Sequence, residues 1–342
     1  MPEWLYEEGI GENRAALVEA GEIIAAEIER DDPWPRVGTV RRARYDAPLV
    51  GRQQAMVKLE GGGEAMLGPV PERIGPGSRF TVEVMREFFM SPVGPSKSMR
   101  VRIVPDDTPL REGPTLLERI AAQGVRVRRL RSFEPDLLEQ AGWSELLEEA
   151  ETGIVKFPGG SLDIHLTPAM TLIDVNGVLE LPFLAVDGAR AAARAINRLR
   201  LSGSIGIDLP TVAGREPRKR AAEAVDETIH GKFERSAVNG FGFLQVVKRQ
   251  ERASLMHLMQ AERGRAVALA LLRRAERDPH VGPIELVAHV DVQGSYGAPR
   301  YIEELARRRG APAYWRWEPA LPISGAHVRP ISTVDEDDDD ES

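Results

Sequence analysis

The segment 170–208 constrains the fold most, because it reads as strand, helix, strand with an aspartate closing each strand. The first strand lies in "MTLIDVNG" and ends at Asp174, and the second lies in "SIGIDLP" and ends at Asp208. Between them, "DGARAAARAINRLRLSG" is rich in alanine and has high helix propensity. A unit of this length usually places its two strands in one sheet as neighbours, so both carboxylates are expected at one edge.

Two strand-end carboxylates a few ångströms apart suit a hard divalent cation. Mg²⁺ takes one or two carboxylates, keeps several waters and accepts a phosphate oxygen. Asn176 follows Asp174 by two residues and shares its side of the strand, so its amide can orient a carboxylate or a phosphate. The pattern indicates metal-assisted hydrolysis of a phosphodiester. An aspartate after a strand also serves as a turn former or helix cap, and spacing alone leaves that alternative open.

Composition excludes several classes of function. The 342 residues include no cysteine, which removes disulfides, thiolate catalysis and Cys-ligated zinc and suits a cytoplasmic protein. No apolar run approaches the roughly 18 residues that a membrane span needs, so no membrane partner is expected. The sequence also lacks the G-x-S-x-G elbow of serine hydrolases.

Charge is unevenly distributed along the chain. The stretch "DEDDDDES" contributes −7 to the net charge of −8, which leaves −1 for the rest. This acidic tail, 331–342, is expected to be disordered. Positive charge clusters in "VRRARY", "SKSMRVR", "VRVRRLR" and "GREPRKR". One such cluster is typical of a solvated face, but four together favour a groove that binds a polyanion.

Patterning predicts four regions. Residues 3–30 read as a strand pair followed by "EIIAAEIER", and residues 113–150 as helices around a basic strand. Residues 37–105 contain short alternating segments between Gly- and Pro-rich turns, which is typical of an OB-fold barrel; a generic small β domain is the alternative. From residue 151 the chain is mixed α/β and includes one long helix from 253 to 278.

Several motifs resemble the ribonuclease E/G family and occur in the family's order. "GIVKFPGGSLDIHLTPAMTLIDVNG" and "RAINRLRLSGSIGIDLP" are similar to the segments that end in the family's two metal-binding aspartates. "FGFLQVV" is similar to a strand downstream, and "SPVGPSKSMRVRI" to the Lys-containing segment after the family's barrel. The similar motifs lie within residues 35–105 and 150–260.

The resemblance implies an endoribonuclease that cleaves single-stranded RNA to products with a 5′-phosphate and a 3′-hydroxyl. Asp174 and Asp208 would hold Mg²⁺, or Mn²⁺ as an alternative, and Asn176 would complete the catalytic set. The RNA-binding residues expected from the resemblance and from the basic clusters are Lys97, Arg100, Lys232, Met56, Met66, Arg41 and Arg42. Met56 and Met66 take the positions where the family's barrel has aromatic residues.

The family's architecture implies a fold of mixed α and β elements. A ribonuclease-H-like subdomain would comprise residues 1–36 and 106–154, with an OB-fold barrel inserted at 37–105. A deoxyribonuclease-I-like catalytic subdomain would follow at 155–330. The family's zinc-binding cysteines and its 5′-sensing motif are not recognisable. No zinc is therefore expected, and any homodimer would not be zinc-linked.

Departures from the family pattern keep a second function open. The barrel methionines stack on bases less well than aromatic rings, and Pro168 stands where the family usually has Glu. These features favour a catalytically weak or inactive RNA-binding or regulatory protein on the same scaffold. A third alternative, a metal hydrolase of small phosphorylated substrates, would require a closed pocket.

Overall fold

A computed structural model describes residues 1–49, 53–296 and 299–331, so the acidic tail predicted to be disordered lies outside the described residues except for Ile331. The described chain is mixed α and β and includes a closed barrel of five strands, as the sequence predicts at this coarse level. Within these three ranges, no helix combines the length and apolar character needed to cross a membrane.

The secondary structure alternates between strands and helices along the chain. The elements up to residue 152 are β1 (Glu3–Glu8), β2 (Glu12–Glu19), β3 (Glu22–Arg30), β4 (Val40–Leu49), β5 (Gln54–Leu59), β6 (Glu64–Leu67), β7 (Arg79–Arg86), β8 (Arg100–Val104), α1 (Leu116–Ala121), β9 (Val127–Leu130), α2 (Leu137–Gln140) and α3 (Trp143–Thr152). Those that follow are β10 (Ile154–Phe157), β11 (Gly160–Leu166), β12 (Thr171–Gly177), α4 (Leu181–Arg198), β13 (Gly203–Asp208), α5 (Glu216–Thr228), β14 (Glu234–Arg235), β15 (Phe243–Lys248), α6 (Leu255–Gln260), α7 (Arg263–Arg277), β16 (Ile284–Ala288), α8 (Val290–Tyr296), α9 (Pro299–Arg309), β17 (Ala313–Trp317) and β18 (His327–Pro330), with a 3₁₀ turn at Ile323–Gly325.

The chain divides into two compact units. The first comprises Met1–Tyr6, Arg14–Arg129 and Leu137–Ala261, and the second comprises Glu7–Asn13, Leu130–Asp136 and Glu262–Ser342. In the second unit the sheet order is β17-β16-β18, and α7 and α9 contribute Leu272 and Leu305 to its buried core.

An N-terminal sheet has the order β3-β2-β1-β9; β1 and β2 are the strand pair predicted within residues 3–30, and "EIIAAEIER" forms the third strand, β3. Helix α1 packs Leu116 and Ile120 against Trp4 of this sheet. A capping box begins α1, because the Thr115 hydroxyl accepts from the Glu118 amide and the Glu118 carboxylate accepts from the Thr115 amide.

The barrel closes in the order β4-β5-β6-β8-β7, which is compatible with the OB-like barrel expected for residues 37–105. Its interior is apolar, and the side chains that fill it include Ala55, Val57, Leu59, Ala65, Leu67, Phe80, Val82, Val84 and Val101. Because side chains alternate across a strand, the residues between these positions face outward. Met56 and Met66 are therefore on the outer surface of the barrel.

A six-stranded sheet, in the order β10-β11-β12-β13-β15-β14, carries the predicted aspartates. β12 and β13 are parallel neighbours, as the strand–helix–strand pattern predicts, and the buried Ile173 and Ile207 are partners in their register. Helix α4 lies against the buried face of this sheet. A Cβ at Gly188 of α4 would be 2.3 Å from Val175 Cγ1, so the missing side chain sets how closely α4 approaches β12.

Two local expectations were wrong. Asp174 does not end its strand, because β12 continues to Gly177 and β11 supplies pairing partners over the whole length. The helix expected over residues 253–278 is two helices, α6 and α7, separated at residues 261–262. Glu262 leaves the helical conformation at φ −127° and ψ 49° and precedes the first turn of α7, where its carboxylate favours the positive end of the helix dipole.

The close approach of α4 to β12 predicts the effect of Gly188→Ala. Alanine is the better helix former, yet its methyl group would clash with Val175 at 2.3 Å. We expect a loss of about 1–3 kcal/mol in the free energy of unfolding, measured by urea denaturation. Arg194→Ala, on the exposed side of the same helix, is the control and should change stability by less than about 0.5 kcal/mol. Unchanged stability in Gly188→Ala would contradict the packing.

Candidate functional site

Three aspartates form a row across neighbouring strands of the six-stranded sheet. Asp174 on β12 is the register partner of Asp208 on β13 and, on its other side, of Asp163 on β11. Asp174 and Asp208 are exposed and Asp163 is half-buried. Cross-strand partners present their side chains on the same face, so the fold brings three carboxylates together where the sequence predicted two.

Asn176 fixes two of these carboxylates. Its amide Nδ2 donates to Asp163 Oδ2 and to Asp174 Oδ2, each at 3.0 Å. The amide thus lies on the same side of β12 as Asp174, as expected from the two-residue spacing. Because one donor holds two like charges, the arrangement restricts both carboxylates to one geometry on the sheet face.

The row carries uncompensated negative charge. Within the part of the chain that the structure describes, none of the three aspartates forms an ion pair with a basic side chain. Like charges on neighbouring strands repel each other, and a bound cation would relieve that repulsion. The described residues contain no group of three or more His, Asp or Glu side chains arranged to hold a metal ion. A site built from two carboxylates and water nevertheless satisfies Mg²⁺.

A ring adjoins the carboxylate row. Phe243 on β15 is the register partner of Asp208, and its ring lies over Gly206. A Cβ at Gly206 would be 2.4 Å from Phe243 Cζ, so glycine leaves the space that the ring occupies. Phe241, in the turn before β15, is 83% exposed, and its carbonyl accepts from Thr211 Oγ1 at 3.0 Å. The face beside Asp208 therefore offers aromatic as well as charged groups.

A second row crosses the outer surface of the barrel. Met56 is the register partner of Met66, Met66 of Arg100, and Arg100 of Arg86. Arg86 was not predicted from the sequence, and its guanidinium donates to the Ser98 carbonyl at 2.9 Å through Nη2. Burial, and then the neighbouring Arg100, lower the pKa of Arg86 to about 10, which still leaves the Arg86 guanidinium cationic at pH 7.

The other predicted RNA-binding residues lie in different places. Arg41 forms an ion pair with Glu112 at 2.8 Å, whereas its neighbour Arg42 is exposed. Lys97 Nζ is 3.5 Å from the carbonyl of Pro168, in the loop that leads into β12. Lys232 is exposed before β14, and β15 separates β14 from β13. Sheet pairing thus does not bring Lys232 to the aspartates.

Lys97 also influences a buried histidine. His257 lies in the first turn of α6, where its Nδ1 is 2.7 Å from Ser254 Oγ. Its ring meets that of Phe89 edge-on, with 4.9 Å between centroids. Burial, and then the Lys97 ammonium, lower the pKa of His257 to about 4, so the imidazole is neutral at pH 7.

The residues missed by the sequence analysis have a partial sequence signal. Asp163 lies between Leu162 and Ile164, and both of these neighbours are buried. Because side chains alternate along a strand, Asp163 is expected on the opposite, more exposed face. Arg86 has no such signal, because alternation alone would place it on the buried face with Val82 and Val84, and only a register shift between Val84 and Arg86 changes this. Which residues meet across strands depends on register, and that cannot be read from either segment alone.

Comparison of the sequence with protein-family models and with curated proteins gives no match.

The depressed pKa of His257 predicts a pH dependence of stability. In the unfolded chain the imidazole takes up a proton near pH 6.5, while the folded ring stays neutral down to about pH 4. The unfolded state therefore binds more protons between these values, and stability falls as the pH drops. Linkage gives a loss of about 2 kcal/mol between pH 7 and pH 5.

Urea unfolding at both pH values, for wild type and His257→Gln, measures this contribution. The variant should show a smaller loss of stability by about that amount, since glutamine does not titrate. His165→Gln, at an exposed strand position, is the matched control and should behave as the wild type does. Identical pH dependence in wild type and His257→Gln would contradict a buried neutral imidazole.

Proposed function

We propose that this chain is a metal-dependent endoribonuclease that hydrolyses single-stranded RNA to 5′-phosphate and 3′-hydroxyl products. The observation that carries the proposal is the register of β12 and β13, which pairs Asp174 with Asp208 on one exposed sheet face, with Asn176 bonded to Asp174. Two neighbouring carboxylates with no basic partner repel each other and do not stabilise the fold. Their placement is therefore better explained by binding of a cation.

Asp174 and Asp208 would hold the cation, with Mg²⁺ as the first choice and Mn²⁺ as the alternative. When bound, the cation would activate a water molecule and neutralise charge that develops on the phosphate. Asn176 restrains the Asp174 carboxylate, which lowers the cost of positioning it at the moment of reaction. Asp163 is held by the same amide and adds negative charge beside the pair.

Exposure of the row favours a polymer over a small substrate. Asp174 and Asp208 are both exposed on the sheet, so an extended strand has access to them from solvent. The alternative of a hydrolase for small phosphorylated substrates requires ligands enclosed in a pocket, because enclosure supplies most of the contacts to a small molecule. The open face supports the ribonuclease proposal.

The outer row of the barrel would hold the RNA strand. Met56 and Met66 offer apolar surface to two bases, and Arg100 and Arg86 lie next to them as phosphate or stacking partners. Lys97, beside the loop leading into β12, would contact a phosphate between the barrel and the aspartates. We extend the proposal to the ribonuclease-H-like and deoxyribonuclease-I-like assignments of the subdomains.

A second function rests on the same barrel. Met56 and Met66 form an RNA-binding surface that does not depend on the aspartates, and their weaker stacking suits a protein that binds transiently. This alternative is an RNA-binding or regulatory protein without efficient cleavage. The two proposals differ only in whether the carboxylate row is used.

Asp208→Asn tests the use of the carboxylate row. The variant should lose Mg²⁺-dependent internal cleavage of a labelled single-stranded RNA by at least about 100-fold, since it removes one anionic ligand. RNA binding in EDTA should change little. Asp107→Asn, in an exposed turn, is the control and should cleave as the wild type does. Binding without cleavage by the wild type in both Mg²⁺ and Mn²⁺ would support the second function.

Met56→Phe tests the barrel surface. A ring at this outward position should strengthen binding of single-stranded RNA, because stacking on an aromatic ring is worth about 1–3 kcal/mol per base. Met56→Ala should weaken it, and Met90→Phe, at an exposed position outside the barrel strands, should leave it unchanged. Fluorescence anisotropy in EDTA gives the dissociation constants. No difference between Met56→Phe and Met56→Ala would remove Met56 from the RNA contact.

A further inference from the structure

A cavity of about 340 Å³ lies in the first unit, at the opposite end of β13 from Asp208. Gly203 begins β13 and pairs with Lys248 at the end of β15, whereas Asp208 pairs with Phe243 at the start of β15. Five residues of strand correspond to about 16 Å, so the cavity is separate from the carboxylate row. Its size falls within the range of small-molecule sites, about 300–1,000 Å³.

The lining of this cavity has two chemical characters. Part of it is apolar and includes Trp4, Leu17 and Ile196. The other part is cationic, and its basic side chains are Arg200, Lys248, Arg249 and Arg252. Two carboxylates, Glu27 and Glu251, also line it, so positive charge exceeds negative charge. A cavity of this kind suits a molecule with one apolar part and one anionic part.

Lys248 is a half-buried cation of the cavity lining without a carboxylate partner. Its ammonium donates to the His230 carbonyl at 3.1 Å, and no described carboxylate forms an ion pair with it. The side chain is half-buried, and burial followed by the charge of Arg200 lowers the pKa of Lys248. A half-buried ammonium beside a second cation is unfavourable unless an anion offsets both charges.

Arg200 adopts a backbone conformation that is unfavourable for a residue other than glycine. It follows the end of α4 with φ +56°, a left-handed conformation that glycine or asparagine usually adopts at this position. A non-glycine residue held in this region points to a use for its side chain. The guanidinium has only a long contact, 3.6 Å from Glu27, and Arg119 lies closer to that carboxylate at 3.1 Å.

The remaining cations are already partnered. Arg249 lies 3.3 Å from Glu251, and Arg252 forms an ion pair with Glu87 at 3.0 Å. Glu251 pairs with Arg249 and Arg252, and Glu27 is shared by Arg119 and Arg200, so neither carboxylate neutralises Lys248. Lys248 therefore faces the cavity without a carboxylate partner, and Arg200 faces it while sharing Glu27 with Arg119.

We propose that this cavity binds a phosphate monoester attached to an apolar or aromatic group, such as a nucleoside monophosphate. Arg200 and Lys248 would contact the phosphate, and the half-buried Leu17 and Ala25 of the apolar wall would contact the base. The same chemistry is present in a free nucleotide and in the phosphorylated end of an RNA strand. The proposal goes beyond the ribonuclease function, because it uses none of the aspartates.

Isothermal titration of the full chain tests the proposal, with adenosine 5′-monophosphate, inorganic phosphate and adenosine as probes. The titrations are done in EDTA, so that metal-mediated binding at the aspartates does not contribute. We expect the nucleotide to bind more tightly than either fragment. Lys248→Met should weaken nucleotide binding at least ten-fold, while Lys156→Met, an exposed lysine on the same sheet, should leave it unchanged.

Arg200→Gly provides a second variant that is not expected to unfold. Glycine tolerates the left-handed conformation, so the thermal midpoint should not fall, yet nucleotide binding should weaken at least ten-fold. Absence of nucleotide binding in the wild type would overturn the proposal. So would binding that is unaffected by both Lys248→Met and Arg200→Gly.

Competition identifies the source of the phosphate. A trinucleotide with a 5′-phosphate should displace the adenosine 5′-monophosphate if the cavity is open to an RNA end, and the same trinucleotide with a 5′-hydroxyl should not. Displacement by neither trinucleotide would assign the cavity to free nucleotides. Asp208→Asn should bind the nucleotide as the wild type does, which separates this result from the test of cleavage.

Discussion

The in-register parallel pairing of β12 with β13 is the constraint on which the arrangement of the aspartates depends. Buried isoleucines set that register, because Ile173 and Ile207 are partners on the face that α4 covers. A slip of one residue would turn these side chains outward and bury Asp174 and Asp208. The same apolar contacts that stabilise the sheet therefore also determine which carboxylates meet on its other face.

Much of the fold could be predicted because local patterns determine it. The alanine-rich segment between two apolar strands predicted neighbouring strands in one sheet, and Gly- and Pro-containing turns predicted a small closed barrel. Contacts between strands that are distant in the sequence could not be predicted, and these supply Asp163 and Arg86. The break between α6 and α7 was also missed, since "HLMQAERGRAV" continues a helical pattern through it.

The basic clusters of the sequence contain both ion-paired and exposed arginines. The sequence grouped Arg41 with Arg42, yet Arg41 is paired with Glu112 while Arg42 is exposed. Arg126, in another cluster, forms an ion pair with Glu3 at 2.9 Å. Conversely, Arg200 and Lys248 lie outside the four clusters and come together only because β13 pairs with β15. Charge density along the chain is thus a poor guide to where positive charge collects in the fold.

The position of Asp174 within β12, with paired strands on both sides, has a consequence for recognition. Pairing of β12 with β11 and β13 holds the backbone of Asp174 in place, and Asn176 restrains its side chain. A rigid array of carboxylates cannot close around what it contacts, so a ligand at the proposed site would have to adapt its own conformation. A chain with free backbone torsions can conform to such a surface at low strain, whereas a stiff duplex would first have to deform.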